Sequence, residues 1–553
     1  MNRDLGALST RTFDLVVIGG GIFGAWIAWD AALRGLSVAL LEQGDFGAAT
    51  SANSQKIVHG GFRYLQRADL RRVILSARER AVLMRVAPHL VFPMPVLVPT
   101  TRRGPQPRAL LRAALAVYDA LTWDRNQGLV DPAKRIPRGR IVSREECLRL
   151  APGLDPSGIT GGAVWHDGQV LNAERLTLAV VRSAADAGAC VANYVRVTEL
   201  VRQAGQAVGV EAEDRLTGRR LDVRSRLIIN AAGPWAAQVM GLGGISHPDM
   251  SRSKTLSLLT RSVTDGCAVS VLVPNGRHRF FLAPWRQLSL IGSSHRLVPG
   301  QPGDCRVDDT EIDALLEQVN AAYPGGALTR RDVRAVYAGL LPLEEDETDP
   351  AQLIGRARII DHARRDGVSG LVSVIGVKYT TARPVAVAVV DVALRKLGLG
   401  RVPSRSAWTP VRGGSVERLD AALTDALRAS AGLDPEVVRH LVPLYGSDYP
   451  ALAALAAGNP AWAGRLTAAA PVIAAQVVYA VQEEMAQTIS DVVFRRTELG
   501  VAGYPGSASL RQCAATIARE LGWDPDRVER ELDAVEAVFT RDSHAPGIAE
   551  AAG

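Results

Sequence analysis

The N-terminal part of the chain opens with an apolar run that does not alternate with polar residues, FDLVVI at residues 13–18. A short run of this kind, rich in β-branched residues and followed by glycines, predicts a strand buried in a parallel sheet. AWIAWDAALR at residues 25–34 predicts a helix that ends at Gly35, and SVALLE at residues 37–42 predicts a second strand. The order strand, helix, strand predicts an α/β domain.

The turn between this strand and this helix has the sequence GGGIFG, residues 19–24. Its G-x-G-x-x-G spacing is typical of dinucleotide-binding turns, where glycines permit a tight turn, close approach to a pyrophosphate and close helix–strand packing. Glu42 ends the second strand, where a ribose hydroxyl needs an acceptor. The sequence therefore predicts a dinucleotide site formed by Gly19, Gly20, Gly21, Gly24 and Glu42.

A long segment of small and hydroxyl residues follows, GDFGAATSANSQKIVHGG at residues 44–61. A compact NAD-binding domain would proceed to another strand, whereas a segment that runs back along the cofactor suits the longer FAD molecule. A solvated polar loop is the alternative interpretation of the same composition. We predict FAD, with a path to its isoalloxazine ring that is lined by Thr50, Ser51, Ser54, Lys56, His59 and Gly60.

Three later segments predict further cofactor contacts. CVANYVRVTELV (190–201) and RLIINAAGPWA (226–236) each predict a strand, and LVSVIGVKYTTARPVAVAVVDVALRKLG (371–398) predicts a strand followed by a long helix. A helix N-terminus beside a lysine stabilises the negative charge of a reduced flavin. Ordinary turns and helix capping are the simpler alternatives. The candidate contacts are Val197, through its backbone to adenine, and Gly233, Gly376, Lys378, Thr380 and Thr381.

The pattern of apolar and polar residues also predicts a pair of strands in the middle of the chain and a helical region after about residue 402. FFLAPWRQLSLIGSSH (280–295) predicts two strands around a turn. The Pro- and Ser-rich stretch VPSRSAWTPVRGGS, which begins at Val402, indicates a linker, and the periodicity after it is helical. The strongest helical signal is VVYAVQEEMAQTISDVVFRRTELG at residues 477–500.

Composition narrows the class of protein. The 553 residues carry a net charge of +7. The five cysteines show no C-x-x-C spacing, so we expect a protein of the reducing cytoplasm without a metal site. No run of about 18 apolar residues is present, and the first residues lack the apolar core of a signal peptide. RRGPQPRALLRAALAVYDAL (102–121) is typical of an interfacial membrane helix or of an ordinary helix packed on the core.

The segment ATSANSQKIVHGGFRYL (49–65) resembles the corresponding segment of the aerobic, membrane-associated FAD-dependent glycerol-3-phosphate dehydrogenases. The likeness continues through LSARERAVLMRVAPHLVFPMPVLVP (75–99) and, in order, through the C-terminal helices, although Asp448 stands where a basic residue is expected. It implies an α/β fold of two interleaved domains and an all-α C-terminal domain. The implied FAD-binding segments are about 12–100, 160–250 and 350–400, the substrate-domain segments about 100–160 and 250–350, and the helical domain 405–545.

The resemblance also implies a function: oxidation of sn-glycerol 3-phosphate to dihydroxyacetone phosphate, by hydride transfer to flavin N5, with quinone or oxygen as the electron acceptor. Arg63 and Tyr64 match the family pair that reaches toward the substrate, and Lys378 also matches. The candidates for the base are His59, His295 and Lys378. We further expect a homodimer, no nucleic-acid partner, and a cytoplasmic protein that is peripheral on the inner face of the membrane.

Three positions depart from the family pattern: Leu341 replaces a substrate-binding arginine, Leu256 a histidine, and His295 an aspartate. His295 could be a new base or a packed structural residue. Two interpretations follow: glycerol 3-phosphate oxidation in a rearranged pocket, or the same flavin chemistry on another polyol phosphate or hydroxy compound. Further alternatives are an amine or amino-acid oxidase and a non-catalytic flavoprotein scaffold. The basic residues that could compensate for the lost arginine are Arg277, His278, Arg279 and Arg296.

Overall fold

The computed structural model describes residues 1–102, 107–245, 251–273, 279–304, 306–343, 355–430 and 432–540. Its strands are β1 Thr12–Ile18, β2 Val38–Leu41, β3 Ile57–Val58, β4 Val91–Thr101, β5 Arg140–Val142, β6 Ile159–Val170, β7 Cys190–Ala192, β8 Val195–Gln203, β9 Gln206–Asp214, β10 Arg220–Asn230, β11 Arg252–Arg261, β12 Ala268–Leu272, β13 Arg279–Trp285, β14 Leu288–Val298, β15 Val333–Pro342, β16 Arg358–Asp361, β17 Leu371–Ile375, β18 Arg465–Thr467 and β19 Ala470–Ile473.

The helices lie between and after these strands. They are α1 Leu5–Thr10, α2 Ile22–Leu33, α3 Leu70–Val86, α4 Arg108–Leu121, α5 Arg144–Leu150, α6 Ala173–Asp186, α7 Ala236–Leu242, α8 Asp309–Ala322, α9 His362–Arg365, α10 Ala382–Lys396, α11 Leu419–Ala429, α12 Pro435–Tyr445, α13 Tyr449–Gly458, α14 Pro460–Ala463, α15 Ala474–Glu484, α16 Ser507–Leu521 and α17 Pro525–Thr540. A short π-helix, Asp491–Arg496, follows α15.

The first sheet contains the predicted parallel strands, which are β17, β10, β1, β2 and β7, and it adds β16, β9 and β8 in antiparallel pairing. Its strand order is β16-β17-β10-β1-β2-β7, and β1 pairs in parallel with both β2 and β10. The apolar run of β1 is buried on both faces: Leu15 and Val17 lie in a core with α2, α6 and α10, and Phe13, Val16 and Ile18 lie in a second core with α7. The predicted βαβ unit is therefore present, with the glycine turn at the carboxyl end of β1.

The second sheet is mostly antiparallel and has the order β15-β11-β14-β13-β12-β4-β6-β3, with β5 on β6. It includes β3, β4 and β6, which shifts the expected segment boundaries. Residues 91–100 and 160–170 were expected in FAD-binding segments, but β4 pairs with β6 along its whole length, and β12 joins β4. This pairing brings together residues far apart in the chain, so the local pattern does not reveal it.

The C-terminal domain is helical, as expected, with one short hairpin, β18–β19, that the sequence pattern did not predict. Two apolar clusters form its core. The stretch 477–500 is not one helix: α15 ends at Glu484, and Met485 has a φ of 58°, outside the helical region. The chain then turns before the π-helix, which directs consecutive arginines back towards the N-terminal domain.

Lys134 is a buried cation, and it gives a prediction for stability. Its Nζ atom donates to the Val91 carbonyl at 3.0 Å and lies 3.3 Å from the centroid of the Phe92 ring. Burial lowers the pKa of Lys134 from 10.5 to about 7. Below pH 7 the lysine is charged in both the folded and the unfolded state, so the cost of burying the charge lowers the free energy of unfolding by its full amount. This cost falls as pH rises from 7 towards 10.5, because the folded protein then holds the neutral lysine.

We expect Lys134→Met to raise the free energy of unfolding by about 2 kcal/mol near neutral pH, because an apolar chain of similar length replaces a buried charge. The gain should shrink steadily in alkaline buffer, where the wild-type lysine is neutral. Thermal midpoints of both proteins across this pH range test the prediction. A destabilised variant at neutral pH, or a gain that does not change with pH, would contradict it.

Candidate active site

A cavity of about 1010 Å³ lies between the two sheets. Ligand pockets of drug-sized molecules extend to about 1,000 Å³, so this one is large enough for a long ligand. One end is formed by the glycine turn after β1, and the other by β11, β13, β14 and β15 of the second sheet. The cavity therefore connects the predicted dinucleotide site with the predicted substrate domain.

At the dinucleotide end, the glycines are required by close contacts. A Cβ atom on Gly24 would lie 1.8 Å from the Gly19 carbonyl oxygen, and one on Gly19 would lie 2.7 Å from the Ala231 oxygen. Gly19 also has a φ of 103°. Gly21 precedes α2, which begins without a side-chain cap or an acidic residue in its first turn. This positive helix end opens on the cavity, as anion binding requires.

Glu42 lies on the cavity wall after β2 and holds the backbone around it. Its carboxylate accepts from the Gly20 amide at 2.6 Å and from the Gly44 amide at 2.9 Å. Burial raises the pKa of Glu42 despite these hydrogen bonds. A Cβ on Gly20 would lie 2.6 Å from Phe46, so the turn packs tightly on the segment that follows Glu42.

The hydroxyl-rich segment 47–55 crosses the cavity. Ser51 accepts from the Ile22 amide at 2.9 Å at the start of α2, and Thr50 donates to the Leu340 carbonyl at 2.9 Å in the second sheet. Ser54 also lines the cavity. This segment is therefore an ordered strip between the two sheets and not a solvated loop.

The structure corrects the expectation for Lys56. Its side chain is fully buried behind the cavity wall, and its ammonium donates to both oxygens of Glu174, at 2.7 and 3.0 Å. The ammonium also lies 4.9 Å from the Tyr337 ring centroid. A buried ion pair of this geometry is a structural bond between the segment and α6, so Lys56 adds no charge to the cofactor path.

His59 projects into the cavity, and its orientation is set by Asp167, which the sequence reasoning missed. The His59 Nδ1 atom lies 3.0 Å from Asp167 Oδ2, and the Gly60 amide donates to Asp167 Oδ1 at 2.7 Å. Burial alone would raise the pKa of Asp167, but the hydrogen bond and charge of His59, together with Arg80, hold it below its usual value. The His59 amide donates to Thr380 at 3.2 Å.

Arg63, Tyr64 and Lys378 all line the cavity at its substrate end. The Lys378 Nζ atom lies 4.8 Å from the Tyr64 ring centroid and donates to the Gly355 carbonyl at 2.9 Å. Arg279 joins this group from β13. Burial and the positive charge of Arg63 both lower the pKa of Arg279. Two like charges beside one cavity create a strongly positive region that suits a dianionic group.

The three departures from the family pattern differ in position. Leu341 and His295 line the cavity, and the His295 Nε2 atom lies 3.1 Å from the Ser293 hydroxyl. Leu256 does not face the cavity: it is buried in the core of the second sheet, and its neighbours Thr255 and Ser257 face the cavity instead. Side chains alternate along β11, so Leu256 and Leu258 lie on the core face.

The other candidate residues lie in several places. Arg296 is exposed and pairs with Glu311 on α8, and residues 277–278 lie outside the described part of the chain. Gly60 is behind the wall beside Arg80. The residues on the cavity surface are Val197, Gly233, Gly376, Thr380 and Thr381. A Cβ on Gly376 would lie 2.5 Å from the Phe23 ring, which fixes the approach of β17 to α2.

These features fit a long dinucleotide. The uncapped helix end suits a pyrophosphate, the glycine turn leaves no room for side chains, and Glu42 stands at the ribose position. The cavity continues beyond this half to His59 and Thr380, which leaves space for a second ring system next to the cationic group. Among the described residues, no group of three or more His, Cys, Asp or Glu side chains could hold a metal ion.

Comparison with known proteins agrees with the geometry. Residues 14–389 match the family model described as FAD dependent oxidoreductase, and residues 404–528 match the C-terminal domain of alpha-glycerophosphate oxidase. The glycerol-3-phosphate dehydrogenase of Synechocystis sp. is 33% identical, over 96% of this chain and 97% of that protein. The mitochondrial glycerol-3-phosphate dehydrogenase of Mus musculus is 30% identical, over 95% of this chain and 73% of that protein.

The chain is also similar to a solved structure of a glycerol-3-phosphate dehydrogenase. The glycerol-3-phosphate dehydrogenase from Bacillus halodurans, complexed with FAD, superposes with a TM-score of 0.78 at 26% identity, over 98% of this chain and 97% of that chain. The protein is thus an FAD-dependent oxidoreductase. Within that class, the chain belongs to the FAD-dependent glycerol-3-phosphate dehydrogenase family, as the sequence resemblance predicted.

Proposed function

We propose that this enzyme oxidises the secondary hydroxyl of sn-glycerol 3-phosphate to the ketone of dihydroxyacetone phosphate. The observation that carries the proposal is the near full-length likeness to relatives that bear the name of this activity. The positive region formed by Arg63 and Arg279 supports the proposal. It offers the phosphate two guanidinium groups, although Leu341 stands in place of the family's substrate-binding arginine.

Bound FAD supplies the hydride acceptor, N5 of its flavin ring. In our proposal, Arg63 and Arg279 bind the substrate phosphate, and Tyr64 donates to or accepts from a substrate hydroxyl. Lys378 and the amides near Thr380 and Thr381, which line the cavity, would stabilise the negative charge of the reduced cofactor. The remaining cofactor contacts we propose are those of the cavity wall, including Val197, Gly233 and Gly376.

His59 is the proposed base. Its Nδ1 atom faces Asp167, so Nε2 is the atom available to accept the hydroxyl proton. Asp167 remains ionised because its pKa is held low, and it therefore stabilises the imidazolium that forms. His295, which lines the cavity and is hydrogen-bonded to Ser293, is the second candidate for the base.

Steady-state oxidation with an artificial electron acceptor tests the substrate. We expect the highest kcat/KM with sn-glycerol 3-phosphate, and at least about 100-fold lower values with glycerol, which cannot engage the arginines. The panel includes sn-glycerol 1-phosphate, other polyol phosphates, hydroxy acids and glycine. A different polyol phosphate or hydroxy acid as the best substrate would favour the alternative of a changed specificity, and glycine that of an amine oxidase.

For the electron acceptor we propose a membrane quinone, with oxygen as the alternative, and docking of the protein on the inner face of the cytoplasmic membrane. No helix of the described residues meets the length and apolarity needed to cross a bilayer. Helix α4, however, exposes Leu110, Val117 and, just after its end, Trp123, which is 81% exposed. Arg108 and Arg112 of the same helix are also exposed, and such basic residues contact anionic lipid. A homodimer stays a prediction.

We expect the double variant Leu110→Asp/Val117→Asp to lose about tenfold or more in affinity for anionic vesicles, because both apolar contacts are lost and repulsion is added. Co-sedimentation with phosphatidylglycerol vesicles measures this change. Leu399→Asp, at a site that is 42% exposed on another part of the surface, is the matched control. Equal loss in both proteins, or no loss in either, would show that α4 is not the docking surface.

A further inference from the structure

The segment from Glu42 to Ala48, here called the cofactor loop, joins the FAD cavity to the C-terminal domain. Its residues Glu42, Asp45, Gly47 and Ala48 line the cavity. The loop follows β2 and has no regular secondary structure of its own. Its shape must therefore come from the groups that bind it, and several of these groups belong to the C-terminal domain.

Two consecutive arginines of the π-helix, Arg495 and Arg496, bind the carboxylate of Asp45. Arg495 Nε donates to Asp45 Oδ2 at 2.7 Å, and the two terminal nitrogens of Arg496 donate to both oxygens at 2.6 and 2.7 Å. All three residues are buried. Burial alone would raise the pKa of Asp45, but the two guanidinium groups lower it to about 2. The ion pair is thus fully formed at neutral pH.

A second set of hydrogen bonds follows the same route. The Tyr194 amide donates to the Gly44 carbonyl at 2.9 Å, and the Tyr194 hydroxyl donates to Asp491 Oδ1 at 2.7 Å. Asn193 donates to Asp45 Oδ1 at 3.1 Å. Asp491 also accepts from Arg495 at 2.6 Å. The cofactor loop is therefore held from two sides by one connected network.

The cofactor loop also contacts the glycine turn, and these contacts determine the shape of the phosphate-binding turn. Glu42 accepts from the Gly20 amide at 2.6 Å, and the Gly47 amide donates to the Gly20 carbonyl at 3.1 Å. Phe46 packs so closely on Gly20 that a Cβ there would lie 2.6 Å from its ring. A shift of the loop therefore moves the groups that face the pyrophosphate and the ribose.

We propose that Arg495 and Arg496 are positioning residues by which the C-terminal domain sets the affinity of the N-terminal domain for FAD. The proposal rests on the continuous path from the π-helix through Asp45 and the cofactor loop to Gly20. By linkage, FAD binding and docking of the C-terminal domain then stabilise each other to the same extent.

The test compares Arg496→Lys with Arg182→Lys. Lysine keeps the charge but cannot form the two parallel hydrogen bonds of a guanidinium. Arg182 is buried at the same interface and binds Glu484 at 3.2 Å and Asp448 at 2.9 Å, both outside the cofactor loop. We expect Arg496→Lys to raise the Kd of the apoprotein for FAD about tenfold, and Arg182→Lys to leave it within about twofold of the wild-type value.

Flavin fluorescence quenching measures the Kd, and the thermal midpoint of each apoprotein reports the general loss of stability. Excess FAD should return the midpoint of Arg496→Lys towards the wild-type holoenzyme value. Equal Kd values in the two variants at matched apoprotein stability would overturn the proposal. If Arg496→Lys does not fold, Tyr194→Phe replaces it, because this change removes the hydrogen bonds of the hydroxyl to Asp491 and Thr488 and leaves the backbone hydrogen bond to Gly44. An unchanged Kd in Tyr194→Phe would then overturn the proposal.

Discussion

Replacing Arg63 with methionine should lower kcat/KM for sn-glycerol 3-phosphate by about 100-fold and leave the FAD bound. The magnitude follows from the loss of charge-assisted hydrogen bonds to the phosphate, each of which contributes about 1.5–3 kcal/mol. Arg63 lies at the cavity wall beside Arg279, so Arg279→Met should show the same loss as Arg63→Met. The rate with glycerol, which has no phosphate, should change by less than about threefold in either variant.

The measurement is steady-state kinetics with both substrates at constant ionic strength. Arg71→Met is the matched control, because Arg71 lies on α3, is exposed, and is not part of the cavity wall. A similar small effect of Arg63→Met and Arg71→Met would show that the phosphate does not bind at this end of the cavity. A large effect on glycerol as well would indicate damage to the cofactor site rather than loss of a phosphate contact.

Gly24→Ala should reduce FAD affinity by at least about 100-fold. The new Cβ would lie 1.8 Å from the Gly19 carbonyl oxygen, so α2 must move away from the glycine turn that binds the pyrophosphate. The FAD content of the purified protein and the Kd of the apoprotein measure the effect. Gly241→Ala, in α7, is the control because its Cβ meets nothing within 4 Å. Retention of stoichiometric FAD by Gly24→Ala would contradict the role of this turn.

The sequence predicted most of what depends on local spacing. The β1–α2–β2 unit, the glycine turn and Glu42 are separated by few residues, so the hydrophobic period and the fingerprint specify them together. Arg63 and Lys378 were also placed on the cavity, although 315 residues separate them, because each follows a recognisable segment. The family resemblance supplied the order of the domains.

Some positions in the site could not be predicted from the sequence, because they depend on contacts between residues far apart in the chain. Lys56 was expected at the cofactor, but its partner Glu174 is 118 positions away and pulls it behind the wall. Leu256 was expected in the pocket, but side chains alternate along β11, and the pairing of β11 in the sheet places Leu256 on the core face and Thr255 and Ser257 on the cavity face. Asp167 carries no motif, and only the pairing of β3 with β6 brings it to His59.

Anaerobic mixing of the FAD-loaded protein with sn-glycerol 3-phosphate tests the central claim most directly. We expect complete loss of the oxidised flavin absorbance, with one dihydroxyacetone phosphate formed per flavin, and no such loss with glycerol at the same concentration. Reduction of the flavin by another compound of the panel, without reduction by sn-glycerol 3-phosphate, would contradict the proposed substrate. A fully FAD-loaded protein whose flavin no alcohol reduces would contradict the proposed reaction itself.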